Sequence, residues 1–152
     1  MPRHLSRAPL QPEALAAAVT ATDRGGMTSF VGRVRDHQDG EAVLRLEYSA
    51  YEPMAERECA AIVAEAESRW PVRVALGHRL GRLEIGDVAV VVVAASAHRG
   101  PAFEACRYVI EEVKRRVPIW KQETYRDGTV AWVDPTRTAG SAVAGTDCGA
   151  VR

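Results

Sequence analysis

The sequence predicts an α+β domain. Three observations carry that prediction: segments of strand character fall in three successive pairs, two longer segments with apolar residues at spacings of three and four separate them, and no glycine-rich phosphate loop follows a strand. Both helices are then expected on one side of a mixed or antiparallel sheet. A doubly wound nucleotide-binding fold is the weaker reading, because Gly81-Arg82-Leu83-Glu84-Ile85-Gly86 matches neither a dinucleotide fingerprint nor a Walker A loop.

Residues 1–26 read as a loosely attached N-terminal arm, broken by Pro2, Pro9 and Pro12, with a short alanine-rich helix around 13–19 and a turn at Asp23-Arg24-Gly25-Gly26. Residues 27–35 alternate as a strand, His37-Gln38-Asp39-Gly40 connects, and 41–48 form a second strand; together they read as a hairpin. From Pro53 the period changes. Ala55, Cys59, Ile62, Val63, Ala66 and Trp70 make the apolar stripe of a helix that Pro71 ends. Residues 72–80 and 87–95 are strands joined by an 81–86 connection, and the run Val90-Val91-Val92-Val93 predicts a strand covered on both faces. A second helix is expected over 101–117, its stripe made by Ala102, Cys106, Val109, Val113 and Val117, with Pro118 as the stop. Residues 119–125 and 129–133 flank Arg126-Asp127-Gly128, a strong hairpin signal. The main domain is expected over 27–137, and 138–152, rich in Ala, Gly, Ser and Thr, reads as a flexible tail.

The composition bounds the function. In 152 residues, 47% are hydrophobic and 26% charged, the balance of a soluble globular chain. Twenty basic residues meet twenty acidic ones, so bulk attraction to nucleic acid or an anionic membrane is not implied. Three widely spaced cysteines, Cys59, Cys106 and Cys148, fit neither a disulfide scaffold nor a CxxC site. No secretory signal or membrane-length apolar run is legible, and a cytoplasmic location is expected.

Three clusters could carry chemistry. Ser96-Ala97-His98-Arg99-Gly100 joins an apolar strand to a helix; it suits an anion at the helix N-terminus, or else His98 caps a loop and Arg99 is solvated. Between 114 and 126, five basic residues face one acidic one: Lys114, Arg115, Arg116, Lys121 and Arg126 against Glu123. A helix-end charge run commonly complements the dipole, but a partly buried lysine near other cations can have a depressed pKa and act as a base or nucleophile. On the first strand, Arg33 and Arg35 share a face, and with His98, Arg99, Lys114 and Lys121 they would form one pocket for phosphate or carboxylate, walled by Phe30; the alternative assigns Phe30 to core and both arginines to surface. No metal-ligand spacing links His37, His78 and His98, and Ser96 lacks a GxSxG context.

In order and spacing, Phe30-Val31-Gly32-Arg33-Val34-Arg35-Asp36-His37, Leu46-Glu47-Tyr48, Tyr51-Glu52-Pro53-Met54, Ser96-Ala97-His98-Arg99, Phe103-Glu104-Ala105 and Lys114 through Pro118-Ile119-Trp120-Lys121-Gln122-Glu123 resemble the large, catalytic subunit of molybdopterin synthase. The resemblance spans about 27–133 and implies an α/β hammerhead fold with a small added α+β subdomain. It also implies a sulfurtransferase that takes sulfur from the thiocarboxylated Gly-Gly C-terminus of a small ubiquitin-like carrier. The substrate would be cyclic pyranopterin monophosphate and the product molybdopterin, with no tightly bound cofactor or metal, in a homodimer within a heterotetramer.

The residues implied as catalytic are Lys114 and Lys121. Those implied as substrate-binding are Phe30, Arg33, Val34, Arg35, His98, Arg99, Lys114, Lys121, Gln122, Glu123 and Arg137, the last reaching across the dimer. The alternative is a non-catalytic module whose basic pocket only captures the carrier's tail.

Overall fold

The valine run organises the first of two sheets. In the computed structural model, which describes residues 3–38 and 40–133, that sheet has the order β1 (Leu5–Ser6), β5 (Val72–Arg79), β7 (Val88–Ser96) and β2 (Gly26–Arg33). Among the described residues only the β1–β5 pair is parallel. Strand β7 is central, and its two faces are buried differently. Val90, Val92 and Ala94 join the main core with α2 (Glu52–Arg69) and α3 (Arg99–Arg116); Val91, Val93 and Ala95 pack with Leu10, Leu15 and Val19 from the segment around α1 (Pro12–Val19). An uninterrupted apolar strand is what such two-sided cover requires, and each buried valine contributes on the order of 1.5–3 kcal/mol.

The N-terminal segment is therefore less loose than its composition implies. Leu5 pairs with His78, and the Glu56 carboxylate accepts the backbone N–H groups of His4 and Leu5, each at 2.9 Å. A short alanine-rich helix is marginal alone; here the second valine face of β7, buried beneath it, gives it a surface.

The second sheet centres on β4 (Glu41–Ala50), with β3 (His37–Gln38), β6 (Gly81–Glu84), β8 (Ile119–Tyr125) and β9 (Val130–Val133) around it. Two expectations are corrected here. The strands at 27–35 and 41–48 are not hairpin partners: β2 runs along β7, from Gly26 opposite Ser96, whereas β4 pairs with β8 and β6. Only β3 and β4 make the short hairpin. The 81–86 connection is itself partly a strand, and fully buried Leu83 anchors it to β4. At Gly81, φ of +90° lets the chain turn from the first sheet into the second, a conformation costly for any residue with a Cβ. The Asp-Gly hairpin forms as expected, with Lys121 opposite Val133.

The result is a mixed α+β fold, helices against a curled antiparallel sheet, of the hammerhead kind. An ion-pair cluster ties the end of α3 to α2. Arg116 meets Glu65 at 2.7 Å, Glu58 at 3.1 Å and Glu112 at 3.2 Å, while Tyr108 donates to Glu65 at 2.6 Å. These two donors hold the Glu65 carboxyl down at about 2. The same last turn of α3 carries Lys114.

Candidate active site

Strand β8 alternates, and its inward residues are Ile119, Lys121, Glu123 and Tyr125. Three of these four are polar, an arrangement that burial penalises unless the groups satisfy one another. They do. Lys121 Nζ lies 3.2 Å from Glu123 Oε1, and the Tyr125 hydroxyl donates a short hydrogen bond to Glu123 Oε2. Glu123 is 1% exposed. Across the sheet Tyr48 stands opposite Lys121 and Leu46 opposite Glu123, closing the floor.

Lys114 approaches from α3, one position beyond the buried Val113. Burial, and then the positive charge of Lys121, push its pKa from 10.5 down to about 8. Its contribution to stability is thus complete only above 10.5 and is lost as pH falls through about 8, where the folded state must accept a buried cation. Two aromatic groups complete the wall. His78 is 2% exposed and its Nδ1 donates to the Arg79 carbonyl at 2.8 Å; burial, with the Lys114 charge adding to it, pushes the ring down to about 3, so it is neutral. Tyr48, pushed up to about 12 by burial and by the Glu123 charge, also stays neutral and meets the His78 ring edge-on at 5.1 Å. Two amines, one of them partly buried and with a lowered pKa, thus lie close together beside one buried carboxylate. Such a site can hold an anion, steady a developing oxyanion and exchange a proton.

The residues expected in one pocket fall into two groups. Gly26 abuts the His98–Arg99 backbone, and β2 then runs along α3, so its far end, with Arg33, Val34 and Arg35, points toward the Lys114 end of the helix. Arg33 donates to the Gly86 carbonyl at 3.1 Å, buried Val34 pairs through its backbone with Asp87 and Gly86, and Arg35 donates to Gln38 at 3.1 Å. A bulge at Gly32/Arg33 ends the strand before Arg35, so the two arginines do not sit on a continuous strand face. Phe30 is 40% exposed, and Gln122 sits opposite Glu47 and Trp132 on the outward side of β8. His98 and Arg99 begin α3, both exposed, and Lys114 lies at its other end, about 22 Å away at a helical rise of ~1.5 Å per residue. Within one chain they do not meet. Arg137 lies outside the described residues.

Close packing at Gly26 carries a prediction. A Cβ there would lie 3.0 Å from His98 C and Arg99 N, both backbone atoms. Gly26→Ala is therefore expected to cost roughly 1–3 kcal/mol, read as a lower urea midpoint at unchanged slope.

Sequence reasoning missed Tyr48, His78 and Tyr125 as parts of the site. The alternation of Lys121, Glu123 and Tyr125 was available as a signal; the Tyr48–His78 contact joins different sheets and had none. Among the described residues no group of three or more His, Cys, Asp or Glu could hold a metal ion. A cavity of about 680 Å³ between α1, α2 and β5 contains none of the lysine-cluster residues.

Comparison with known proteins adds an independent line. The family model described as MoaE protein matches residues 5–116, taking in His98, Arg99 and Lys114 and stopping short of Lys121. A molybdopterin synthase catalytic subunit from Nostoc sp. is 44% identical over 128 residues, covering 83% of this chain and 78% of the relative. The crystal structure of molybdopterin synthase from Staphylococcus aureus superposes with a TM-score of 0.81 at 37% identity, covering 86% of this chain and 95% of that one. A chain from a Helicobacter pylori complex of subunits 1 and 2 of molybdopterin-converting factor superposes at 0.68 with 25% identity, over 82% of this chain and 85% of that one.

Proposed function

The chain belongs to the MoaE protein family, and from that premise we propose that it is the catalytic subunit of a cytoplasmic molybdopterin synthase. Sulfur passes from the thiocarboxylated C-terminus of a small ubiquitin-like carrier to cyclic pyranopterin monophosphate, and two such transfers with opening of the cyclic phosphate give the dithiolene of molybdopterin. Each carrier leaves as a carboxylate, its acyl carbon taking oxygen from water. The observation that carries this reading is Lys121 set on the buried Glu123 carboxylate, with the partly buried Lys114 near enough to Lys121 to feel its charge. Lys114 polarises the thiocarboxylate carbonyl, Lys121 moves a proton on the pterin, and Glu123 orients Lys121. Phe30, Arg33, Val34 and Arg35 contribute on the pterin-phosphate side, Gln122 reaches the substrate through its backbone between Lys121 and Glu123, and no tightly bound cofactor is needed. No helix among the described residues is long and apolar enough to cross a membrane.

Mixing the protein with thiocarboxylated carrier and cyclic pterin monophosphate, then measuring oxidised dithiolene-pterin fluorescence, tests the proposal. Carrier binding without product would leave a tail-capturing module in its place.

Carrier-borne sulfur also predicts that the protein's own thiols are dispensable. Burial pushes Cys59 up to about 12 and Cys106 to about 11, which leaves little thiolate. Cys59→Ser and Cys106→Ser, singly, are expected to retain transfer; abolished transfer in a folded variant contradicts the scheme. Cys148 lies outside the described residues, and the same expectation holds for Cys148→Ser.

The distance between His98–Arg99 and Lys114 supports a homodimer in which the loop of a second copy completes the anion pocket, with Arg137 also reaching across. Light scattering at micromolar concentration without carrier is expected to give twice the chain mass, and a monomer refutes the arrangement.

A further inference from the structure

Lys114 and Lys121 ride on different layers. Lys114 is on α3, which packs on the first sheet; Lys121 is on β8 in the second. Any shift between the sheets changes the spacing of the two amines. Among the described residues the seam is crossed beneath them by one ring pair: Tyr48, near the C-terminal end of β4 and directly opposite Lys121, meets His78 near the end of β5, 5.1 Å between centroids and 81° between planes. Both rings are buried, at 6% and 2% exposure, and just beyond His78 the chain itself crosses at Leu80–Gly81. Neither residue has a role in the transfer as described above.

We propose that Tyr48 and His78 are positioning residues for the proposed sulfur transfer, a cross-sheet strut that sets the spacing of the lysine pair and keeps its inner wall dry. The inference rests on the synthase reading for its consequence in catalysis, but its geometry stands apart from it.

The charges around the strut define what it controls. Lys121 of β8 presses on Lys114 and is partnered by Glu123, whose charge reaches Tyr48 of β4, while the charge of Lys114 reaches the neutral His78 of β5. Arg79 is turned toward Asp87, 3.7 Å away, and on α3 itself Arg116 is taken up by Glu58, Glu65 and Glu112. Lys121 is therefore the cation that presses on Lys114, and the aromatic wall excludes water that would relieve it. Opening the wall should let the Lys114 proton affinity recover toward that of a solvated amine.

Tyr48→Leu and Tyr48→Phe separate the ring from its hydroxyl. In full-length protein labelled with ¹³C at the lysine ε-carbons, Lys114 is expected to titrate near 8 in the wild type and in Tyr48→Phe, and about one unit or more higher in Tyr48→Leu. Single-turnover transfer with saturating thiocarboxylated carrier is expected to fall about tenfold or more in Tyr48→Leu, as misplacement of a catalytic group predicts, with carrier affinity unchanged and Tyr48→Phe restoring most of the rate. A purely structural role would lower the melting temperature and leave the Lys114 midpoint in place.

Wild-type midpoint and rate in Tyr48→Leu overturn the proposal, as does a Tyr48→Phe defect equal to that of Tyr48→Leu. Should Tyr48→Leu not fold, His78→Asn retains a side-chain N–H but offers no ring; it is expected to move both readouts in the same direction, and unmoved readouts refute the strut. Failure of the wild type to form dithiolene, with the midpoint still moving, sinks the synthase reading alone.

Discussion

Lys121→Ala is expected to slow dithiolene formation by about 100-fold or more, the scale seen when a positioned acid–base or charge-stabilising group is removed. Lys121 is held 3.2 Å from a buried carboxylate and faces the lowered-pKa Lys114, so neither a water nor a neighbouring cation supplies the same proton at the same place. Truncation removes the cation beside Glu123 but leaves the carboxylate its hydrogen bond from the Tyr125 hydroxyl, and the fold is expected to be kept. Lys121→Arg is expected to rescue little, since a guanidinium keeps the charge but does not release a proton and presents its donors in a rigid fork. Single-turnover assays at saturating carrier isolate the chemical step. Near-wild-type rates for Lys121→Ala would remove it from the mechanism and leave Lys114 as the principal lysine.

Glu123→Ala should be the most damaging single change to stability among the site residues. Glu123 is 1% exposed and anchors both Lys121 and the Tyr125 hydroxyl, so its loss strands a cation that is itself only 20% exposed. Removing one partner of a buried pair costs about 3 kcal/mol or more, which urea denaturation reads as a lower midpoint with unchanged slope. Glu123→Gln keeps the shape and one acceptor and is expected to lose less stability while still losing activity. A loss below about 1 kcal/mol for the alanine variant would show the pair to be solvated in practice.

What the chain discloses before folding depends on how local the information is. Both long helices were legible because Ala55, Cys59, Ile62 and Ala66, and Ala102, Cys106, Val109 and Val113, repeat at helical spacing, and prolines stand beyond their ends. The β8–β9 hairpin was legible in Asp127-Gly128. Strand partners were not. Residues 27–35 and 41–48 are neighbours in sequence, but β2 finds its hydrogen bonds on β7, where the valine face needs an antiparallel edge, and β4 finds β6 and β8.

The site divides along the same line. Lys114 and Lys121 stand out as charges beside the apolar Val113 and Trp120, and Glu123 as the one acid in a basic stretch. Tyr48 and His78 read as ordinary core, because nothing in the order of residues says that two rings from different sheets touch. The helical length separating His98 from Lys114 was arithmetic available at the outset, and the fold shows the helix uninterrupted from Arg99 to Arg116.

The central place of β7 governs how the molecule is made. Its partners β2 and β5 both precede it, and β2 joins the first sheet only through residues 88–96. While the ribosome has not yet released those residues, Gly26–Arg33 is a strand without a ladder and the α1 segment lacks the valine face that covers it. The N-terminal half of the nascent chain therefore waits in an unpaired state, open to other strand edges, and its assembly is a late event with long loops to close.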